Sequence, residues 1–138
     1  MHTIIRNVFA VLIGFIVGSI VNITLVTVGP MLIPPPEGVD MSTMESLAET
    51  IHLMGPVNFL VPFLAHALGT LTGVLTTCLI AANQIMILAY GMGALFLLGG
   101  VVASVTIPAP IWFIAVDLLF AYLPMAWLGL TLANRIKN

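Results

Sequence analysis

Two side chains in this sequence, His66 and Asp117, combine titratable chemistry with surroundings that hold almost no other polar group. Asp117 lies roughly six residues inside an apolar run, at a depth where an unpaired acid costs up to about 3 kcal/mol on insertion scales. An ionisable residue at that depth is a functional candidate by default; its bland alternative is an acid hydrogen-bonded to a neighbouring helix. His66 is the natural partner. A histidine and a carboxylate in contact can pass a proton, orient a base or hold a polar ligand, and they can equally serve only to fix helix register. Asn22 and Asn58 add amides that hydrogen-bond without charge.

These residues need helices to bring them together. At about 100° per residue, Asn58, Pro62, His66, Gly69, Thr70, Gly73 and Thr77 fall within an arc of roughly 120°, with Phe59, Leu60, Phe63, Leu64, Leu71 and Leu75 mostly opposite. This small, polar stripe faces protein and the bulky face meets lipid. Gly69 and Gly73 have the four-residue spacing that lets helix backbones approach, and Asn7, Gly14, Gly18 and Asn22 make a similar stripe on the first helix. Counted inward from the outer end of each run, Asn22 and Asp117 lie roughly 9 Å deep and His66 roughly 14 Å, so the three share a layer. We expect a His66–Asp117 pair with Asn22 beside it and Asn58 nearer the mouth. Pro124, on the Asp117 face, frees the carbonyl of Phe120 and is expected to kink its helix. Gly99 and Gly100 lie near the same depth and leave room for other helices.

The spans themselves follow from composition. The chain has 138 residues, 61% hydrophobic and only 6% charged, with a mean hydropathy of +1.23, which excludes a water-soluble globule. Four apolar runs, about 8–28, 57–81, 85–105 and 111–132, each have the roughly 20 residues a bilayer crossing requires. The expected fold is all-α: one membrane domain over 1–138, a four-helix transmembrane bundle. The N-terminal run is too long for a signal peptide and no cleavage site follows it, so it reads as a retained span. Arg6 precedes the first run and Arg135 and Lys137 follow the fourth, whereas Glu37, Asp40, Glu45 and Glu49 share the loop 29–56, which has neither Lys nor Arg. By the positive-inside rule both termini are cytoplasmic. Trp112 and Trp127 read as interfacial anchors.

The outer loop contains Pro34, Pro35 and Pro36 and then a short amphipathic helix. Ser42 and Glu45 have capping-box spacing, and Met44, Leu47, Ile51 and Met54 recur at helical period. Its apolar side is expected to lie on the membrane surface. Glu45, Glu49 and His52 share its other face; Glu49 and His52 have the Glu-x-x-His spacing of carboxylate metal sites, but without a second such motif a solvated acidic face is the stronger reading. Met41, Met44 and Met54 raise a soft metal such as copper(I) and are outweighed by their expected contact with lipid. The single cysteine, Cys78, reads as a buried hydrophobe. No nucleophile, phosphate-loop or haem motif is present, so no cofactor is expected. Three bases cannot build a nucleic-acid surface.

The segments Pro34 to Asp40 (PPPEGVD) and Pro62 to Leu71 (PFLAHALGTL) resemble a family of small four-span proteins of bacterial inner membranes with no assigned function. The resemblance covers nearly the whole chain and implies four spans and a bacterial membrane setting, without carrying over an activity. Three functions are then open: binding or permeation of a proton or small solute by an oligomer, with His66, Asp117, Asn22 and Asn58 as the polar layer; an accessory subunit of a larger membrane complex; and an enzyme acting on lipid headgroups at the outer interface, His66 its base and Asp117 the orienter. Membrane lipids and a second copy or complex subunit are the expected partners.

Overall fold

Inside a bilayer no water is available to the backbone, so each apolar run must satisfy its own amides, and helix is the way a single run can do so. The computed structural model describes residues 2–138. Its elements are α1 (His2–Leu32), α2 (Met44–Thr50), two 3₁₀ turns (Ile51–Leu53 and Pro56–Phe59), α3 (Leu60–Ile80), α4 (Ile85–Thr106), α5 (Ile111–Phe120) and α6 (Leu123–Lys137), with no strand among the described residues. Four helical stretches are long and apolar enough to cross a membrane: His2–Leu32, Pro56–Ile80, Ile85–Thr106 and Ile111–Lys137.

α1 continues past Val28 through Gly29 and Pro30 to Leu32. Pro30 lacks the N–H that would bond Val26, but so near the helix end this forfeits little, and Ile33 N–H still donates to Gly29 O at 2.9 Å. With 31 residues the helix is about 46 Å long, well beyond the ~30 Å hydrocarbon layer.

α3 is the central helix, packed against α1, α4 and α6. It can be central because its inward face is small: Ala65, Ala67, Gly69, Gly73 and Cys78 are all buried. Against α1 the backbones nearly touch. A Cβ placed on Gly18 would stand 2.5 Å from the carbonyl oxygen of Gly69 and 2.6 Å from the Phe96 ring, and one on Gly73 would stand 3.0 Å from the carbonyl of Gly14. The two glycine stripes therefore face each other, while Ile4, Phe9, Ile16 and Ile20 of α1 are exposed. That outward apolar surface is what lipid accepts and water would not.

The first turns of α1 and the last turn of α6 both reach the C-terminus of α3. Arg6 Nε donates to Ile80 O at 2.6 Å and Lys137 Nζ to Cys78 O at 2.7 Å, two cations on carbonyls that α3 leaves without helical partners. Asn7 accepts from Ala82 N–H at 2.9 Å and donates to Asn83 Oδ1 at 2.7 Å, so it ties the α3–α4 turn as well as belonging to the α1 stripe.

The fourth span departs from a simple kink. It is interrupted: α5 ends at Phe120, Ala121 and Tyr122 lie outside both helices, and α6 restarts with Pro124 in its first turn. Proline fits a helix start, where a missing N–H is harmless, and so it separates the two segments. Non-helical backbone at membrane depth is tolerated only when protein covers it. Here it does, since Ala121 and Tyr122 are 0% and 2% exposed.

The loop also differs in detail from the expected pattern. The capping box is Thr43 with Ser46, not Ser42 with Glu45: Ser46 N–H donates to Thr43 Oγ1 at 3.0 Å and Thr43 N–H to Ser46 Oγ at 3.1 Å. Ser42 is engaged upstream, its N–H donating to Asp40 Oδ1 at 2.9 Å. Hydrogen bonds from Ser42 hold the Asp40 carboxyl below its ordinary value, the side chain contributing most and the backbone next. The apolar side of α2 and the following turn, expected on the membrane surface, is in part turned onto the bundle itself. Leu47, Ile51 and Met54 pack onto Phe59 and Phe113, closing over one end of the bundle.

Candidate functional site

The fourth-span interruption builds the site. His66 on α3 and Asp117 on α5 meet directly, with Nδ1 2.8 Å from Oδ1 and 3.0 Å from Oδ2. With Asp117 as a carboxylate, which only accepts, Nδ1–H is the donor and Nε2 is the nitrogen left outside the pair. Tyr122 O–H donates to Asp117 Oδ2 at 3.1 Å, and its ring stacks on the imidazole at a centroid distance of 5.9 Å. Asp117 is 4% exposed. Two donors thus converge on a buried acceptor, the arrangement that lets a carboxylate persist away from water.

Tyr122 escaped the sequence reading for a definite reason. In a continuous helix, five residues turn through 500°, which leaves positions 117 and 122 about 140° apart and unable to meet. Only the two non-helical residues bring the phenol back to the acid. Gly100 on α4 leaves room for it: a Cβ there would collide with the Tyr122 hydroxyl and ring. The pair of glycines expected to give space at this depth therefore divides, because a Cβ added to Gly99 would meet nothing within 4 Å and that residue faces outward.

Above the pair lies a cavity of about 230 Å³. His66, Gly100 and Asp117 line it at the deep side on α3, α4 and α5, and the loop lines it on the other through Met41, Met44, Leu47 and Met54. Phe59 and Phe113, with ring centroids 4.8 Å apart, form part of the wall. The wall is mostly apolar apart from the ionisable pair, Asn58 and Ser104, whose hydroxyl donates to Val101 O at 2.7 Å. Methionine and phenylalanine make such a wall adaptable, since thioethers fill irregular space and aromatic faces are polarisable.

Asn58 sits at the cavity edge and holds the loop down. Its Nδ2 donates to Pro34 O at 3.1 Å, and its Oδ1 accepts from Gly55 N–H at 3.1 Å. Asn22 is placed elsewhere: its Cβ packs over Gly69, 3.0 Å from where a Cβ on that glycine would stand, in the α1–α3 contact. Tyr122, and not Asn22, completes the His66–Asp117 pair. One turn below His66, Thr70 is fully buried and its hydroxyl has no hydrogen-bond partner among the described residues. Glu45, Glu49 and His52 are all exposed on the loop, and no group of three metal-ligating side chains converges among the described residues.

No family model matches the chain, and no curated protein or solved structure matches it significantly. Four helices long and apolar enough to span a membrane make it compatible with a multi-pass membrane protein.

Proposed function

We propose that this chain is a multi-pass protein of the bacterial inner membrane, both termini cytoplasmic, that binds a small amphipathic solute in the cavity between its loop and the His66–Asp117 pair. One observation carries the reading: a hydrogen-bonded ionisable pair stands at the deep side of an otherwise apolar cavity. An apolar body would fill the space below the methionines, and its polar end would meet His66. The acid-rich loop and the bases at the other end support a cavity that opens toward the outside. Carriage of the solute across the membrane would take an assembly of copies, since one short bundle encloses no continuous path.

The fluorescent probe N-phenyl-1-naphthylamine tests this with the protein in nanodiscs. Emission should rise above that in empty nanodiscs, fall to that level in Ala103→Trp, which fills the cavity, and weaken in His66→Ala while circular dichroism keeps the helical signal. No rise with the wild type, or full binding by Ala103→Trp, overturns the reading. A second reading is favoured by the internal completeness of the pair: Asp117 takes hydrogen bonds from both His66 and Tyr122, so it can act as a register lock in an accessory subunit. Under that reading the probe result is negative and mild extraction yields a defined partner protein.

A further inference from the structure

Resting on the cavity reading just given, we infer that the solute is a compact organic cation. The charges available to a ligand in this cavity are few. Of the side chains that line it, only His66 and Asp117 titrate, and neither Lys nor Arg is among them. Tyr122, buried in the break between α5 and α6, faces the pair as a hydroxyl donor. α1 and α4 bring no titratable side chain to the cavity wall, and the 3₁₀ turn before α3 brings Asn58, an amide.

With the Nδ1–H between them the pair carries a charge of minus one, and with a second proton, on Nε2, it carries no net charge. A positive state would need a proton on Asp117, the acceptor on which both His66 and Tyr122 converge. An anionic headgroup finds no compensating charge in either of the first two states and would place a second anion beside a buried carboxylate, which is strongly disfavoured. A cation finds its counter-charge in the state of charge minus one and reaches that state by displacing the Nε2 proton, while the Nδ1–H bond to Asp117 stays in place. The total charge in the cavity then stays constant, which is the least costly exchange in a low-dielectric space.

Two further features point the same way. The loop over the cavity carries Glu37, Asp40, Glu45 and Glu49 with neither Lys nor Arg and only His52 as a base, so the approach is negative on balance and concentrates cations. The wall offers Phe59 and Phe113 with three methionines, Met41, Met44 and Met54, surfaces that stabilise a diffuse positive charge better than aliphatic ones do. The volume of about 230 Å³ suits a compact ring system with short branches, not a diacyl lipid.

Three probes, each a phenyl ring with a short side chain, separate the possibilities: benzyltrimethylammonium, its neutral carbon isostere neopentylbenzene, and the anion 4-phenylbutyrate. Each is titrated against the protein in nanodiscs by displacement of N-phenyl-1-naphthylamine, with its partition into empty nanodiscs subtracted. The ammonium should bind about tenfold tighter than the neutral isostere, and the anion weakest of all. Asp117→Asn should erase that preference while keeping the neutral probe. If this variant does not fold, the wild-type ranking alone decides. Equal or tighter binding of the neutral or anionic probe overturns the cation assignment and leaves the cavity reading standing. Failure of all three probes, with no signal from the naphthylamine itself, overturns both.

Discussion

Asp117 collects its two donors from different places, one across the bundle on α3 and one from its own span after the break. The two should not be equivalent. Tyr122→Phe keeps the ring and its stack on His66 but removes a hydrogen bond to a charged acceptor, at an expected cost of roughly 1.5–3 kcal/mol. Replacing His66 by Ala leaves the acid buried with the phenol alone and should cost more, about 3–5 kcal/mol. Unfolding in mixed micelles measures both, and a loss under about 0.5 kcal/mol for Tyr122→Phe would mean that the phenol adds nothing to the pair. Outside the membrane, Asp40 offers a simpler titration. Its folded pKa lies below the ordinary carboxylate value, so the ionised form stabilises the loop above that value, and the support disappears as the pH falls through the folded pKa. Carbon-detected NMR of the carboxyl should find Asp40 titrating low, and Ser42→Ala should move it back up. The pair itself was legible in the sequence because an acid in an apolar run has few ways to exist, and counting depth at about 1.5 Å per residue placed the histidine opposite it. Asn22 was not, because an arc on a helical wheel tells which side of a helix is small without telling which neighbour fills it.

At the scale of elements, the closest approaches fall where a side chain is missing. Gly18→Ala would press a Cβ against the Gly69 carbonyl and the Phe96 ring, so α1 and α3 must part, an overpacking cost of about 1–3 kcal/mol. Gly91, with nothing within 4 Å, gives the contrast: Gly91→Ala should leave the packing alone and stabilise α4 by up to about 1 kcal/mol through helix propensity. Thermal denaturation of the two variants side by side checks the pair of signs. The four long helices could be read from run length alone, since lipid imposes a fixed thickness on any span. The interruption of the fourth could be read only as far as Pro124, which marks a site of weakness but not the number of residues that leave the helix. The orientation of α2 was hidden for another reason. Leu47, Ile51 and Met54 repeat at helical period whether their partners are lipid or the Phe59–Phe113 cluster, and periodicity does not distinguish the two.

For the molecule as a whole, the cavity joins parts of the chain that are far apart: the proline-rich loop, the start of α3, the end of α4 and the start of α5. Its cover is thin and rich in sulfur. Met44 is 55% exposed, whereas Met92, in the bundle interior, is 2% exposed. Dilute peroxide should therefore convert Met41 and Met44 to sulfoxides well before Met92, an order that peptide mass spectrometry reads directly. Each sulfoxide puts a polar, chiral oxygen on what had been an apolar ceiling. The chamber beneath would then lose its fit for apolar bodies, and reductase treatment would restore it, so the loop methionines make occupancy of this protein sensitive to oxidants without any cysteine taking part.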